Sequence, residues 1–317
     1  MMRMQIIIVG AGSLGLMYAA RLAGSGAEVM LAARGEKQAA SLRDGGICLE
    51  EAGLQSRRYP VMATELDKAG AGMQPGADDW IWLTVKQSHL TDAFMDKLRL
   101  SGLLARGASL LALQNGIGHM ERLQSHFPEN PLYAAVTTEG ALRTADTRVR
   151  YTGHGVFTFG KWPKAAEDGD KTQKMLLETL HAAGIEAELS NDMGNRIYQK
   201  LLINAVINPL TAIHGIPNGI LAEDPGLRQE MADLHAESEK ILLAAGMTAA
   251  GDSWGRLLQV CRQTANNESS MLGDVKAGRL TEIDWINGGI SSLAKRYGLL
   301  SPLNDAVTNA VKSLSKS

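Results

Sequence analysis

The stretch Gln5–Gly15, QIIIVGAGSLG, decides how the first half of this chain folds. Gln5–Val9 is a compact β-branched run, suited to a central parallel strand buried on both faces. Gly10, Gly12 and Gly15 follow at once, and LMYAARLAGSG after them reads as a helix that ends in glycine. Glu28–Ala33 is the next strand. A glycine-rich turn alone is a weak signal. Between a buried strand and a helix, with a second strand to follow, it is a strong one for a phosphate cradle. The first glycine allows a tight turn, the second lets backbone approach the phosphates, and the third lets helix pack on strand. The helix start adds unpaired N–H groups and a positive dipole end, with Ala11, Ser13 and Leu14 completing the loop.

A βαβ unit of this kind predicts a parallel-sheet dinucleotide-binding domain, and the end of its second strand selects the dinucleotide. An NAD site places Asp or Glu there to hold the ribose 2′-hydroxyl. Here the sequence reads LAARGEK, with Arg34 at that place and Lys37 one turn on. A guanidinium suits a 2′-phosphate. NADP is therefore expected, with Glu36 close enough to keep NAD as the alternative.

Working outward, Gly45–Val61 reads as a turn region with short strands. Trp80–Val85 and Ser109–Leu113 are buried strands leading to Lys86 and to Asn115-Gly116, with helical spacing over Leu90–Leu98 between them. Ligands of open α/β sheets bind outside the carboxyl ends of the strands, so both residues are candidates. Tyr133–Thr138 is another strand, and its exit, Thr138–Leu142, can meet cofactor through its backbone. Val149–Tyr151 and Val156–Gly160 predict an antiparallel hairpin around Thr152–Gly155. His154, among glycines in that turn, reads as structural or exposed. Lys161–Lys174 reads as a charged surface loop before a helix at Leu176–Ala183, and Ile185–Leu189 as a last strand.

From Ser190-Asn191-Asp192, a possible N-cap, the pattern becomes helix after helix. The expected boundary puts a dinucleotide domain at 1–191 and a helical domain at 192–317. The second half is organised by Gln199–Ile213, QKLLINAVINPLTAI. At 3.6 residues per turn, Lys200, Asn204 and Asn208 share one narrow stripe, with Thr211 beside it. Nearly every other position is apolar, as in a buried helix. Buried Lys and Asn need partners, so the stripe predicts a small polar ligand, against a solvent-facing seam as the bland alternative. Pro209 frees the carbonyl of Ala205. Beyond it come a turn at Pro217–Gly219 and helices at Leu227–Ala245, Trp254–Asp274 and Thr281–Arg296. Glu282, near the start of the last, suits either a capping or a ligand role.

With 317 residues, 45% hydrophobic content and net charge −2, the chain has the size of about two domains and is not basic enough to attract nucleic acid by charge. Its apolar start is too short to cross a bilayer and precedes no cleavage signal. The two cysteines, Cys48 and Cys261, form no CxxC and read as buried thiols of a cytoplasmic protein. The histidines show no metal-binding spacing, and no metal is expected.

Taken together, GAGSLG at Gly10–Gly15, Lys86, Asn115-Gly116, KLLINAVINPLTA from Lys200 and SSMLGDVKAGRLTEIDWING from Ser269 closely resemble the ketopantoate reductases (2-dehydropantoate 2-reductases). The resemblance runs over nearly the whole chain, and the last two segments are specific to that family. It implies an α/β Rossmann domain binding NADP and a C-terminal all-α domain of the 6-phosphogluconate dehydrogenase type, with the active site in the cleft between them. It implies reduction of 2-dehydropantoate by NADPH to (R)-pantoate, toward pantothenate and coenzyme A, in a monomer or homodimer.

By that resemblance Lys200 is the proton donor and Glu282 belongs to the catalytic group. Asn115, Asn204, Asn208, Asn218 and Ser270 bind substrate. Arg34 takes the 2′-phosphate, while Lys86, Asn115, Glu282 and the backbone near Leu142 meet cofactor. Gln114 stands where many members have His, and Trp285 where Tyr is common. A reductase of another 2-oxoacid or β-hydroxyacid, or a non-catalytic NADP sensor, are the alternatives.

Overall fold

The computed structural model describes residues 4–163, 171–249 and 251–314. The chain divides into two compact units, 1–114 with 119–193 and 115–118 with 194–317. No single cut expresses this division, because Asn115–Gly118 groups with the helical residues.

In the first unit the strands are β1 (Gln5–Val9), β2 (Glu28–Ala33), β3 (Ile47–Glu50), β4 (Arg57–Tyr59), β5 (Met62–Glu65), β6 (Trp80–Leu83), β7 (Ser109–Ala112), β8 (Leu132–Thr137), β9 (Gly140–Ala145), β10 (Arg148–Gly153), β11 (Phe157–Trp162) and β12 (Ala187–Leu189). Its helices are α1 (Ser13–Gly24), α2 (Glu36–Gly45), α3 (Ala69–Gly72), α4 (Asp92–Leu100), α5 (His119–His126) and α6 (Lys171–Ala182). The main sheet has the order β12-β11-β8-β7-β6-β1-β2-β5, and β8 through β5 run parallel. The chain goes from β1 to β2 on one side and later returns to β6 on the other, so β1 is the switch point where such sheets take a ligand. Ile6, Ile7, Ile8, Trp80, Ile81, Trp82 and Leu83 are wholly buried, as runs without alternation require. Trp82 stacks on Phe157 at 5.3 Å, and Tyr18 of α1 meets both rings edge-on.

The expected hairpin of Val149–Tyr151 with Val156–Gly160 does not form. Arg148–Gly153 pairs back on β9 and beside β3, in a separate sheet of order β4-β3-β10-β9, whereas Phe157–Trp162 pairs with β8 and β12 in the main sheet. The strand Gly140–Ala145, overlapping the segment read only as an exit from β8, supplies the true partner. Gly155 then crosses against the backbone of Thr138, where a Cβ would lie 2.4 Å from the carbonyl carbon. His154 is exposed beside Tyr151, its Nδ1 3.4 Å from the phenol oxygen. Of the surface loop expected over Lys161–Lys174, residues 164–170 lie outside the described residues. Lys171–Lys174 opens α6 instead.

The second unit contains α7 (Met193–His214, its first residue counted with the first unit), α8 (Asn218–Glu223), α9 (Pro225–Ala244), α10 (Ser253–Gln263), α11 (Ser270–Lys276), α12 (Asn287–Arg296) and α13 (Pro302–Leu314). Three expectations change. Asn218-Gly219 opens α8 rather than a turn. The helix expected over Trp254–Asp274 is two helices, broken where Ser269 caps α11 by accepting from Leu272 N. Thr281–Ile286 precedes α12 in a tight turn, and α13, which the sequence pattern did not disclose, follows.

α7 is buried on two sides. Leu201, Leu202, Ala205 and Ala212 join a core with Met271, Ile283, Ile286 and Ile290. Val206, Ile207 and Leu210 join another with Leu221, Met231, Leu257 and Cys261. Among the described residues no helix is long and apolar enough to cross a membrane.

Candidate functional site

In the first unit the glycine loop has a separate steric reason for each glycine. Gly10 sits at φ +119°, a conformation L side chains rarely adopt, and the Thr84 hydroxyl donates to its carbonyl at 2.7 Å. A Cβ on Gly15 would lie 1.9 Å from the Gly10 carbonyl oxygen, so α1 packs on the turn only without a side chain there. A Cβ on Gly12 would meet no described atom within 4 Å, so this face of the loop is open. Gly12 is the N-cap of α1 and no side chain caps the helix, so its first N–H groups suit phosphate oxygens.

The rest of the loop is held from the second sheet. Ser13 Oγ accepts from Arg143 N at 3.0 Å, and Gln38 Nε2 donates to the carbonyls of Ala11 and Asp146. The neighbouring Leu142 is half exposed, its backbone one residue from this contact. Residue Leu14 is half-buried and Ala11 buried.

At the end of β2, Arg34 is exposed, and the described residues include no ion-pair partner for it. Glu36, the residue that kept NAD open, is engaged elsewhere. Its carboxylate bonds Arg43, which holds its pKa below the usual range, and Lys68 Nζ lies 3.5 Å away. This buttress was invisible in sequence because Lys68 is brought in by β5, the neighbour of β2. Lys86 is half-buried just beyond β6, and Gln114 Nε2 donates to the Leu83 and Val85 carbonyls at 2.9 Å each. Gln114 thus ties the ends of two strands together.

In the second unit, the stripe on α7 carries half-buried Lys200 and Asn204 and buried Asn208, only 6% exposed. Loss of water around the ammonium lowers the Lys200 pKa to about 8, against an upward pull from the Glu282 carboxylate. No hydrogen bond from the side chain of Asn204 or Asn208 to another described residue forms. A buried amide without a protein partner is costly, and on this stripe it is available to a ligand.

Glu282, 8% exposed, accepts from Asn115 Nδ2 at 3.0 Å. It lies before the first turn of α12, whose N-cap is Ile286, so the capping alternative is not realised. Gly116 follows at φ +83°, and a Cβ there would sit 2.4 Å from the Trp285 carbonyl oxygen, which accepts from Ile117 N. Asn115-Gly116 is thereby knitted to the turn that carries Glu282.

Asn218, 7% exposed, donates from Nδ2 to Thr264 Oγ1 at 2.9 Å, while its Oδ1 is buried without a partner among the described residues. Ser270 is exposed at the start of α11. Its neighbour Ser269 is buried, and Thr211 Oγ1 lies 2.7 Å from Ser269 Oγ. That bond holds the start of α11 against α7 one turn beyond Asn208. Sequence reasoning assigned no role to Ser269 or to two wholly buried asparagines, Asn287 and Asn304. The signal for Asn287 was present, because the carbonyl that Pro209 frees must find a donor.

The family model described as ketopantoate reductase PanE/ApbA matches residues 6–164, and its C-terminal counterpart matches residues 192–315. The 2-dehydropantoate 2-reductase of Pyrococcus horikoshii is 32% identical over 311 residues, covering 98% of this chain and 97% of the relative. The crystal structure of a probable 2-dehydropantoate 2-reductase from Bacillus subtilis is 29% identical, with a TM-score of 0.80 over 98% of this chain and all of the other. A ternary structure of D-mandelate dehydrogenase with NADH and anilino(oxo)acetate has a TM-score of 0.86 at 24% identity over 99% of this chain and 98% of the other, a likeness of fold alone.

Proposed function

Because the chain belongs to the ketopantoate reductase PanE/ApbA family of dinucleotide-binding oxidoreductases, we propose that it reduces 2-dehydropantoate to (R)-pantoate with NADPH. The observation that carries the reading is the α7 stripe: a lysine whose pKa is near 8, one turn from Asn204 and two from an amide that is buried without a partner. A sensor that only bound dinucleotide would gain nothing from such a stripe.

The glycine loop and the uncapped start of α1 fit a pyrophosphate, and Gly12 is open to it. NADPH, when bound, supplies the hydride. Arg34, exposed and with no carboxylate partner among the described residues, takes the 2′-phosphate, while Arg43 and Lys68 occupy the Glu36 carboxylate that an NAD site would use. Lys86 and the backbone near Leu142 complete the cofactor contacts.

Lys200 hydrogen-bonds the ketone oxygen of the substrate, stabilises the charge that develops there, and delivers its Nζ proton to form the hydroxyl. Its lowered pKa serves this step, since an acid near neutrality both holds and releases its proton at working pH. Asn204 and Asn208 offer donors and acceptors to the substrate carboxylate and hydroxyl, with Asn218 Oδ1 and Ser270 completing the set. Glu282, oriented by Asn115, keeps the Lys200 ammonium charged against desolvation.

Oxidation of NADPH followed by absorbance, with 2-dehydropantoate beside unbranched 2-oxoacids and with NADH beside NADPH, tests the proposal. Turnover is expected only with 2-dehydropantoate and NADPH. Turnover on another 2-oxoacid alone would keep the chemistry and reject the substrate, and tight NADPH binding without any turnover would favour the sensor.

A further inference from the structure

Pro209 has no N–H, so the carbonyl of Ala205 loses its intrahelical donor in the middle of α7. The structure supplies one from outside. Asn287 Nδ2, wholly buried at the first position of α12, donates to the Ala205 oxygen at 2.8 Å. The second hydrogen of the same amide goes to Asn304 Oδ1 at 3.0 Å. Asn304, on α13, donates in turn from its backbone N and its Nδ2 to Glu237 Oε1 of α9. The Oδ1 of Asn287 is buried and accepts from no described residue. Both donors of this side chain are used and its acceptor is idle, so it is present as a donor.

Each end of the Asn287–Ala205 contact lies beside a candidate functional group. Ala205 adjoins Asn204 and stands just over a turn from Lys200. Asn287 directly follows the Glu282–Ile286 turn, closed by bonds from Trp285 N and Ile286 N to the Glu282 carbonyl. We infer that Asn287 is a positioning residue which, through the carbonyl bared by Pro209, sets the spacing between Lys200 on α7 and Glu282 on the turn before α12. Ala205 and Ile286 belong to one apolar core, which holds the two elements together without direction. The hydrogen bond adds register. A break in the helix ladder thus becomes a docking point for the element that carries the carboxylate.

The inference rests on Lys200 being the proton donor, and its test separates the two claims. The kcat for reduction is measured against pH for wild type, K200A, N287A, P209A and the N287A/P209A double variant, with thermal melting alongside. The P209A change restores the missing N–H to the Ala205 carbonyl, and alanine is the better helix former. P209A is therefore expected to melt no lower than wild type even if N287A proves fragile. Its new N–H nevertheless competes for the carbonyl that Asn287 uses. The alkaline limb of kcat is expected to move by at least about half a pH unit in P209A and in N287A, because either change alters the surroundings of Lys200. The double variant should resemble P209A, because the two changes act on one contact.

A limb that stays at the wild-type pH in both P209A and N287A overturns the inference. So does an N287A effect of the same size in the wild-type and the P209A backgrounds. Wild-type turnover in K200A would instead strike at the reading beneath it.

Discussion

Asn115 donates from Nδ2 to Glu282 Oε2 at 3.0 Å, joining side chains 167 positions apart in the chain. The bond orients a buried carboxylate whose charge opposes the desolvation of Lys200. E282Q keeps the shape and removes the charge, so the Lys200 pKa falls below its present value of about 8. With Lys200 as the proposed proton donor, the protonated lysine is the competent acid, and reduction is expected to run at full rate below its pKa and to fail as pH rises through it. The alkaline limb of kcat should therefore move to lower pH in E282Q. A limb that did not move would remove Glu282 from control of Lys200.

Lys200 itself should show a conflict between activity and stability. K200A is expected to lower kcat by at least about 100-fold, the lower range for general acid catalysis. K200M should do the same and yet melt higher than wild type at neutral pH. The sign follows from linkage: the folded pKa of about 8 lies below the ordinary lysine value of 10.5, so the unfolded chain binds more protons and stability rises with pH between the two. Below that window the desolvated ammonium is a net cost, which methionine removes while keeping the packing. Thermal melting at pH 7 is the measurement, and a K200M protein that melted lower would show the ammonium to be stabilising after all.

Much of this was legible because it is written in local pattern. The glycine spacing after Gln5–Val9 names both the turn and its ligand class, and the stripe Lys200-Asn204-Asn208 is visible from helical periodicity alone. What escaped depends on partners distant in sequence. Nothing near Val149 says that it belongs to a different sheet from Phe157, since β10 is placed by β3, about a hundred residues earlier. Ser269 and Ser270 look alike as letters, and only the contact with Thr211 makes one buried and the other exposed. Glu36 read as a rival to Arg34 until β5 brought Lys68 to it.

That last relationship yields a cofactor prediction. With Glu36 held by Arg43 and Lys68, Arg34 is the group at the end of β2 that is free for a phosphate. R34A is expected to weaken NADPH by about 10-fold or more, as befits a lost charge-assisted hydrogen bond, and to leave NADH nearly unchanged. R43A should act in the opposite sense on selectivity, releasing the Glu36 carboxylate and narrowing the preference for NADPH. Dissociation constants for both nucleotides, read from nicotinamide fluorescence, decide it. Equal losses for NADPH and NADH in R34A would reject the 2′-phosphate role.

Two glycines of the same loop should fail in different ways. At Gly15 an added Cβ meets the Gly10 carbonyl oxygen at 1.9 Å, a backbone atom that cannot rotate aside. G15A must therefore lift α1 from the turn, and it should lower the melting temperature whether or not nucleotide is present. At Gly12 the same Cβ has no described protein atom within 4 Å, so G12A should melt like wild type in the absence of nucleotide. The added methyl instead fills the approach to the pyrophosphate, weakening NADPH and NADH alike by about 10-fold or more, equivalent to losing one hydrogen bond to a charged group. Melting curves with and without NADPH distinguish the two variants. If G12A kept wild-type affinity for both nucleotides, the open face of Gly12 would not be where the phosphates bind.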